Sequence, residues 1–173
     1  PMEGSESARL MFLLSICCAE ESIRIGNAYF VPDDLTTDTL VEAANRGVKV
    51  EILVPGKKID SKTVRSASRD RWGELLEHGI RIYEFLPTMY HCKCMIIDGT
   101  WTSVGSANFD NRSFRLNDEA NLSLIDQEFA ADAIATFEQD LARSREVTLD
   151  AWQNRPLSTK VVDAGAALLR SQL

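Results

Sequence analysis

Three apolar, β-branched runs, at residues 22–30, 48–54 and 80–85, are separated by segments of helical period, and the second and third runs each follow a glycine, Gly47 and Gly79. Strand, helix, glycine stop and strand again is the pattern of parallel strands joined by helical crossovers. Asp34 is placed to cap the first crossover helix, which runs to Asn45 and Arg46, and residues 61–78 form the second, polar on one side. Ahead of them, residues 5–21 have helical spacing, with Leu10, Leu13, Leu14, Cys17 and Cys18 as the face to bury and Ser5 or Ser7 as the cap.

The second half changes rhythm. Strands are expected at 91–97, 101–104 and 120–125, the first two joined by a tight turn at Gly99, followed by a helix from 127 to about 145. Residues 152–156 read as a linker and 158–169 as a last amphipathic helix. The expected fold class is therefore α/β, a mixed but mostly parallel sheet flanked by helices on both faces. Residues 1–150 form the expected main domain, and 151–173 the linker and a helix packing back on it.

Composition narrows the function. The 173 residues suffice for one real core, and a formal charge of −7 argues against a sequence-blind nucleic-acid binder, which needs a basic face; no nucleic-acid partner is expected. A small cationic pocket remains compatible with that charge. The longest apolar run, 10–19, is short of the roughly 20 residues that span a bilayer, and the first four residues lack the basic start of a signal peptide. Opening on Pro1 suggests a chain cut from something longer, so membrane anchors upstream stay open. Cys17-Cys18 and Cys92-x-Cys94 do not form a disulfide framework and read as free thiols.

The chemistry is concentrated in His91-Cys-Lys-Cys-Met-Ile-Ile-Asp98, followed by Gly105-Ser106-Ala107-Asn108. Strand alternation puts His91 and Lys93 on one face and both cysteines on the other. An imidazole beside an ammonium is a poor metal site but a good anion site: the cation favours a phosphate oxygen, and the imidazole is a nucleophile or a proton donor. Gly105 lets backbone approach a phosphate, while the Ser106 hydroxyl and the Asn108 amide add hydrogen bonds. Glu119 is placed to hold Nδ1–H of His91, leaving Nε2 to attack phosphorus. Zinc on Cys92, Cys94 and His91 is disfavoured because the thiols turn away from the ring; neither metal nor cofactor is expected.

The pattern His-x-Lys-x4-Asp-x6-Gly-Ser-x-Asn resembles the phospholipase D superfamily signature and would arise by chance on the order of once in 10⁵ chains or fewer. Tyr29-Phe-Val-Pro-Asp33, the run from Gly105 to Ser113, and Trp152-x-x-Arg155-Pro-Leu157 are similar to the C-terminal half of bacterial cardiolipin synthases. Two departures stand out: Asn27-Ala28 where that family has Thr-Pro, and Asp118-Glu119 where it has Phe-Glu. The resemblance implies a phosphohistidine mechanism without a cofactor. His91 is nucleophile or general acid, Lys93, Ser106 and Asn108 bind phosphate, Glu119 orients His91, and Asp98 ties the strand to neighbouring backbone.

Such chemistry needs a second acid or base. The remaining histidine, His78, reads as the C-terminal cap of its helix. The chain is thus expected to supply half a site, completed by a second domain of the same motif in a parent chain or by a homodimer mate. The resemblance implies phosphatidyl transfer that makes cardiolipin from phosphatidylglycerol at a bacterial cytoplasmic membrane surface. The alternative is a phosphodiesterase, nuclease or lipid hydrolase acting as a single-motif homodimer. Trp101 and Phe109 are expected in the core, and Arg112 and Arg115 on the surface or at lipid phosphate. Lys57, Lys58, Lys62, Arg65, Arg69 and Arg71 form a basic stretch that reads as a solvated helix face.

Overall fold

The structure is a computed structural model and describes residues 2–168, apart from the side chains of residues 2–6 and of Arg115. The end expected for the last helix, Leu169, the Ser5 cap and the Arg115 contact lie outside the described residues. Elements follow in the order α1 (Met2–Cys18), β1 (Ser22–Asn27), α2 (Asp34–Asn45), β2 (Lys49–Pro55), α3 (Lys62–Glu77), β3 (Arg81–Phe85), β4 (Lys93–Ile97) and β5 (Trp101–Gly105). They continue with α4 (Asn111–Arg115), β6 (Asn121–Ile125), α5 (Gln127–Leu141), β7 (Ser144–Val147), α6 (Leu149–Gln153) and α7 (Leu157–Ala167).

One sheet carries all seven strands in the order β6-β5-β4-β1-β2-β3-β7. The fold is α/β and the sheet mixed, with helices on both faces, as the alternation requires. Its balance differs from expectation: only β1–β2 and β2–β3 are parallel, while β1–β4, β4–β5, β5–β6 and β3–β7 are antiparallel. The reason is connection length. Helical crossovers return β2 and β3 in the direction of β1, whereas the turn at Asp98 and Gly99, both at positive φ, can only reverse the chain. The helix expected to run to about 145 stops at Leu141, and two residues later β7 pairs with β3 as an edge.

Side-chain alternation sorts the core onto two faces. Ile23, Ile25, Ile52, Ile82, Met95 and Ile97 pack under α1, α2 and α3 through Phe12, Ile16, Leu40, Trp72 and Leu75. On the opposite face Leu53, Tyr83, Phe85 and Ile96 meet Ala130 and Phe137 of α5. Each fully buried aliphatic or aromatic side chain contributes roughly 1.5–3 kcal/mol. The buried stripe of α1 is Phe12, Leu13 and Ile16, which shares only Leu13 with the expected face: Leu10, Leu14, Cys17 and Cys18 are exposed. In so apolar a run, period alone does not choose the face; the stack of Phe12 on Phe109, with Phe114 edge-on, does.

The basic stretch is likewise not a solvated face throughout. On α3, Arg65 pairs with Glu84, Arg71 with Asp34, and Arg69 lies half-buried near Asp163 of α7. Helix α7 covers α3, with Ala166 against Val64 and Ala67. Among the described residues no helix is long and apolar enough to cross a membrane.

Candidate active site at the mouth of β4

The parallel strands β1, β2 and β3 end at one edge of the sheet, and β4, running antiparallel to β1, begins there, with Lys93 opposite Asn27. His91 lies two residues ahead of β4, exposed, and Lys93 donates from Nζ to the His91 carbonyl at 3.2 Å. Burial holds the Lys93 ammonium below its ordinary pKa, against the pull of Cys92, Glu119, Asp60 and Asp110. The cation is therefore incompletely hydrated, a condition that a phosphate at hydrogen-bond distance relieves, while the acids around it act against an incoming anion.

Cys94 points the other way, into the α5 side beside Tyr90, where burial pushes its thiol up to about 11. Alternation thus separates the inner thiol from Lys93. Among the described residues no group of three His, Cys, Asp or Glu is placed to hold a metal ion.

The loop after β5 starts at Gly105, which lines one cavity with His91 and Lys93. Ser106 is fixed twice to Ala120, the residue ahead of β6, its N–H donating to the Ala120 carbonyl and its Oγ accepting from the Ala120 N–H, both at 3.0 Å. Asn108 donates its N–H to Ser113 Oγ at 3.0 Å, and its Oδ1 is buried without a partner among the described residues. Gly105 is required for a reason other than phosphate approach: a Cβ there would run into the Ala120 carbonyl and the Asn121 side chain. What approaches this backbone is strand β6.

Glu119 does not sit on His91. Its Oε1 accepts from Ser113 Oγ at 3.0 Å and from Asn117 Nδ2 at 3.2 Å, and among the described residues no hydrogen bond joins it to the imidazole. The short helix α4 causes this. Asp110 caps it by accepting from the Ser113 N–H at 2.7 Å, which swings the Ser113 hydroxyl between the Asn108 backbone and the Glu119 carboxylate. Asp110 itself is buried, and that burial raises its pKa.

Asp98 closes the far end of β4. Its carboxylate accepts from the N–H groups of Glu20 at 2.9 Å, Glu21 at 2.9 Å and Ser22 at 2.7 Å, tying the end of β4 to the start of β1. Burial opposes its ionisation, but these three donors hold its pKa below the usual carboxylate range.

The structure adds residues that sequence reasoning did not assign to the site. Tyr29 lies edge-on to His91, ring centroids 6.3 Å apart, and donates its hydroxyl to Asp60 at 2.6 Å. Burial, then that bond, pushes the Tyr29 hydroxyl up to about 12, while Tyr29 holds Asp60 down. The signal for Asp60 is positional: it follows parallel strand β2, at the carboxyl edge where α/β sheets bind ligands. His78 caps α3, its Nδ1 3.0 Å from Asn45 Oδ1. Phe109 is buried and Trp101 packs against the core.

Residues 14–141 match the family model described as cardiolipin synthase, PLD-like domain. The chain belongs to this family. It is 40% identical over 169 residues to a cardiolipin synthase of Geobacillus sp. (strain WCH70), covering 98% of this chain and 34% of that one. To cardiolipin synthase 2 of Bacillus anthracis it is 37% identical over 164 residues, covering 95% and 32%. The chain therefore spans about a third of the length of the curated relatives it matches.

Among solved structures it resembles Nuc of Salmonella typhimurium, a phospholipase D family member, with a TM-score of 0.73 and 25% identity over 83% of this chain and 92% of that one. The phosphatidylserine synthase of Haemophilus influenzae shares the fold, with a TM-score of 0.72 and 17% identity over 96% and 45%. Within the PLD-like domain, the departure at Asn27 has a structural use. Buried at the end of β1, its Oδ1 accepts from the N–H groups of Tyr29 at 3.1 Å and Phe109 at 3.3 Å, joining the two segments that flank the site.

Proposed function

We propose that this chain supplies one half of a phosphatidyl-transfer site and works in making cardiolipin from phosphatidylglycerol at a bacterial membrane surface. The observation that carries the reading is the open mouth of β4. Exposed His91 and half-buried Lys93, whose Nζ donates to the His91 carbonyl, line one cavity there with Gly105, which leads into the loop that carries Ser106 and Asn108. In this reading Lys93, Ser106 and Asn108 hold the phosphate, and His91 is the nucleophile or the general acid. As nucleophile, a His91 ring nitrogen attacks phosphorus; the P–O bond to the leaving alcohol breaks, and a second acid protonates that alcohol. An acceptor hydroxyl of phosphatidylglycerol then displaces the imidazole, its proton passing to the same second group.

That second group comes from outside the described residues. His78 is occupied at the C-terminus of α3, the end of that helix away from the strand mouth. A sister domain of the parent chain, suggested by relatives about three times as long, or a second copy would bring it. Glu119 supports the site through Ser113 and its field on Lys93, and Asp98 through the strand it anchors. The test is His91→Ala in the full-length parent enzyme, with turnover of phosphatidylglycerol as the readout. Loss by at least about 10³-fold is expected; wild-type turnover would overturn the mechanism.

A second reading, a phosphodiesterase built from two copies of one motif, is favoured by the match to 92% of the Nuc chain. Cleavage of bis-p-nitrophenyl phosphate or a plasmid by the chain, with no action on phosphatidylglycerol by the parent enzyme, would put it first.

A further inference from the structure

A cavity of about 310 Å³ lies apart from the mouth of β4, between α3, the β3–β7 pair and α6. Four cations line it: Lys57, Arg65, Arg69 and Arg145. Two carboxylates do as well, and both are already answered. Glu84, buried at the end of β3, is gripped by Arg65 and Arg145, and Glu146 is held by Arg81 at 2.9 Å.

The other two lining cations are less fully answered: Arg69 has one long ion pair and Lys57 none among the described residues. The Arg69 guanidinium makes no hydrogen bond among the described residues; its nearest acid, Asp163, stands 3.9 Å from Nε and is bonded to Arg155 at 3.1 Å. Lys57 is exposed at the rim, just past β2. In a chain of net charge −7, four cations against two carboxylates give this lining an excess of two positive charges. Burial pulls the Arg69 pKa down, so its charge is poorly hydrated where it stands, a condition an anion relieves. Trp72 and Trp152 form the apolar wall.

The cavity shares an edge with the candidate active site. Glu84 and Lys57 sit at the carboxyl ends of β3 and β2, and Lys93 starts β4. In the sheet order, β3 is three strands from β4, a separation of roughly 14 Å at ordinary strand spacing.

We infer that this cavity is a second anion site, in which Arg69 and Lys57 hold a phosphate group, either free or in a phospholipid headgroup. A guanidinium matches two phosphate oxygens at once, and the tryptophan wall suits the carbon that adjoins a phosphoester. The inference goes beyond phosphatidyl transfer and does not depend on it.

The test uses the full chain carrying Lys93→Ala, which removes the cation of the other site, and reads the fluorescence of Trp72 and Trp152. The probes are inorganic phosphate and dihexanoyl-phosphatidylglycerol below its micelle concentration, both at low ionic strength. A saturable change is expected with Lys93→Ala alone. Adding Arg69→Met should weaken binding at least about tenfold, and adding Lys57→Gln about threefold. Circular dichroism checks each fold; if Arg69→Met does not fold, Lys57→Gln at the exposed rim decides. Response to phosphate alone assigns a free-ion site, and response to the lipid assigns a headgroup site. The inference is overturned if neither probe binds, if Lys93→Ala by itself abolishes binding, or if the cavity variants that fold bind as tightly as their parent. Turnover enters none of these readouts, so failure here leaves the transfer mechanism standing.

Discussion

The two ends of β4 carry the same short motif and are built in opposite ways. At the far end Asp98 accepts three backbone N–H groups from the α1–β1 junction, and the chain turns through a positive φ to do so. At the mouth His91 is exposed, with the Tyr29 ring edge-on to it and Lys93 reaching only its carbonyl. The closed end spends its charge on holding strands in register. The open end leaves the His91 ring available, and the loop opposite is fixed to Ala120, just ahead of β6, through the Ser106 N–H and hydroxyl oxygen. The difference separates what the motif does for the fold from what it offers to a ligand.

The largest test of that contrast is stability. Asp98→Ala should cost about 3 kcal/mol, because it deprives three backbone donors of a charged acceptor and puts a non-glycine, non-Asx residue at positive φ. His91→Ala should cost less than about 0.5 kcal/mol, as expected of an exposed side chain away from such features. Urea unfolding of both variants measures this; equal costs would erase the distinction between the two ends.

Ser113→Ala probes what holds the open end's loop and should cost about 1.5 kcal/mol, since it leaves the Asn108 N–H and one contact of Glu119 unsatisfied. A wild-type unfolding midpoint would show that Ser113 does not brace the site.

Asp98→Asn keeps the αL tolerance and removes the charge, for about 1 kcal/mol at pH 7. The sign with pH follows from the depressed folded pKa of Asp98. Its contribution is full above the unfolded carboxylate value of about 3.9 and is lost as pH falls through the lower folded value. The gap between wild type and Asp98→Asn should therefore close on acidification from pH 5 to pH 2. A gap that stays constant would mean that the charge is not what the three donors hold.

The smallest effect is at Tyr29. Tyr29→Phe should leave stability within about 0.5 kcal/mol and let the Asp60 pKa rise toward its ordinary value, because the Tyr29 hydroxyl is the first cause of its depression. Carboxyl NMR titration reads the shift, and an unmoved Asp60 would remove the Tyr29–Asp60 pair from the description of the open end.

Much of this was legible in residues close together along the chain. Spacing along one strand placed Lys93 and Cys94 on opposite faces, and the glycines after α2 and α3 marked where parallel strands begin. Contacts between distant segments were not legible. The stripe that α1 buries is selected by Phe109 and Phe114, about a hundred residues away. Glu119 could be placed near the site by its position before β6, but its partners are set by α4, a five-residue helix too short to show a period. Strand β7 was missed because an edge strand of Ser-Arg-Glu-Val has no apolar alternation to announce it.

The sequence by itself determined which way Lys93 and Cys94 face, because strand geometry has a fixed period of two; the strand expected from 91 begins only at Lys93, so alternation does not set the side of His91 or Cys92. Only the tertiary structure decided what each motif residue touches. Strand order put Asn27 opposite Lys93, α4 turned Glu119 onto Ser113, and the α1–β1 junction came to Asp98. The physical reason is that a hydrogen bond depends on distances of about 3 Å, and between segments far apart in the chain those distances are fixed by packing rather than by spacing in sequence.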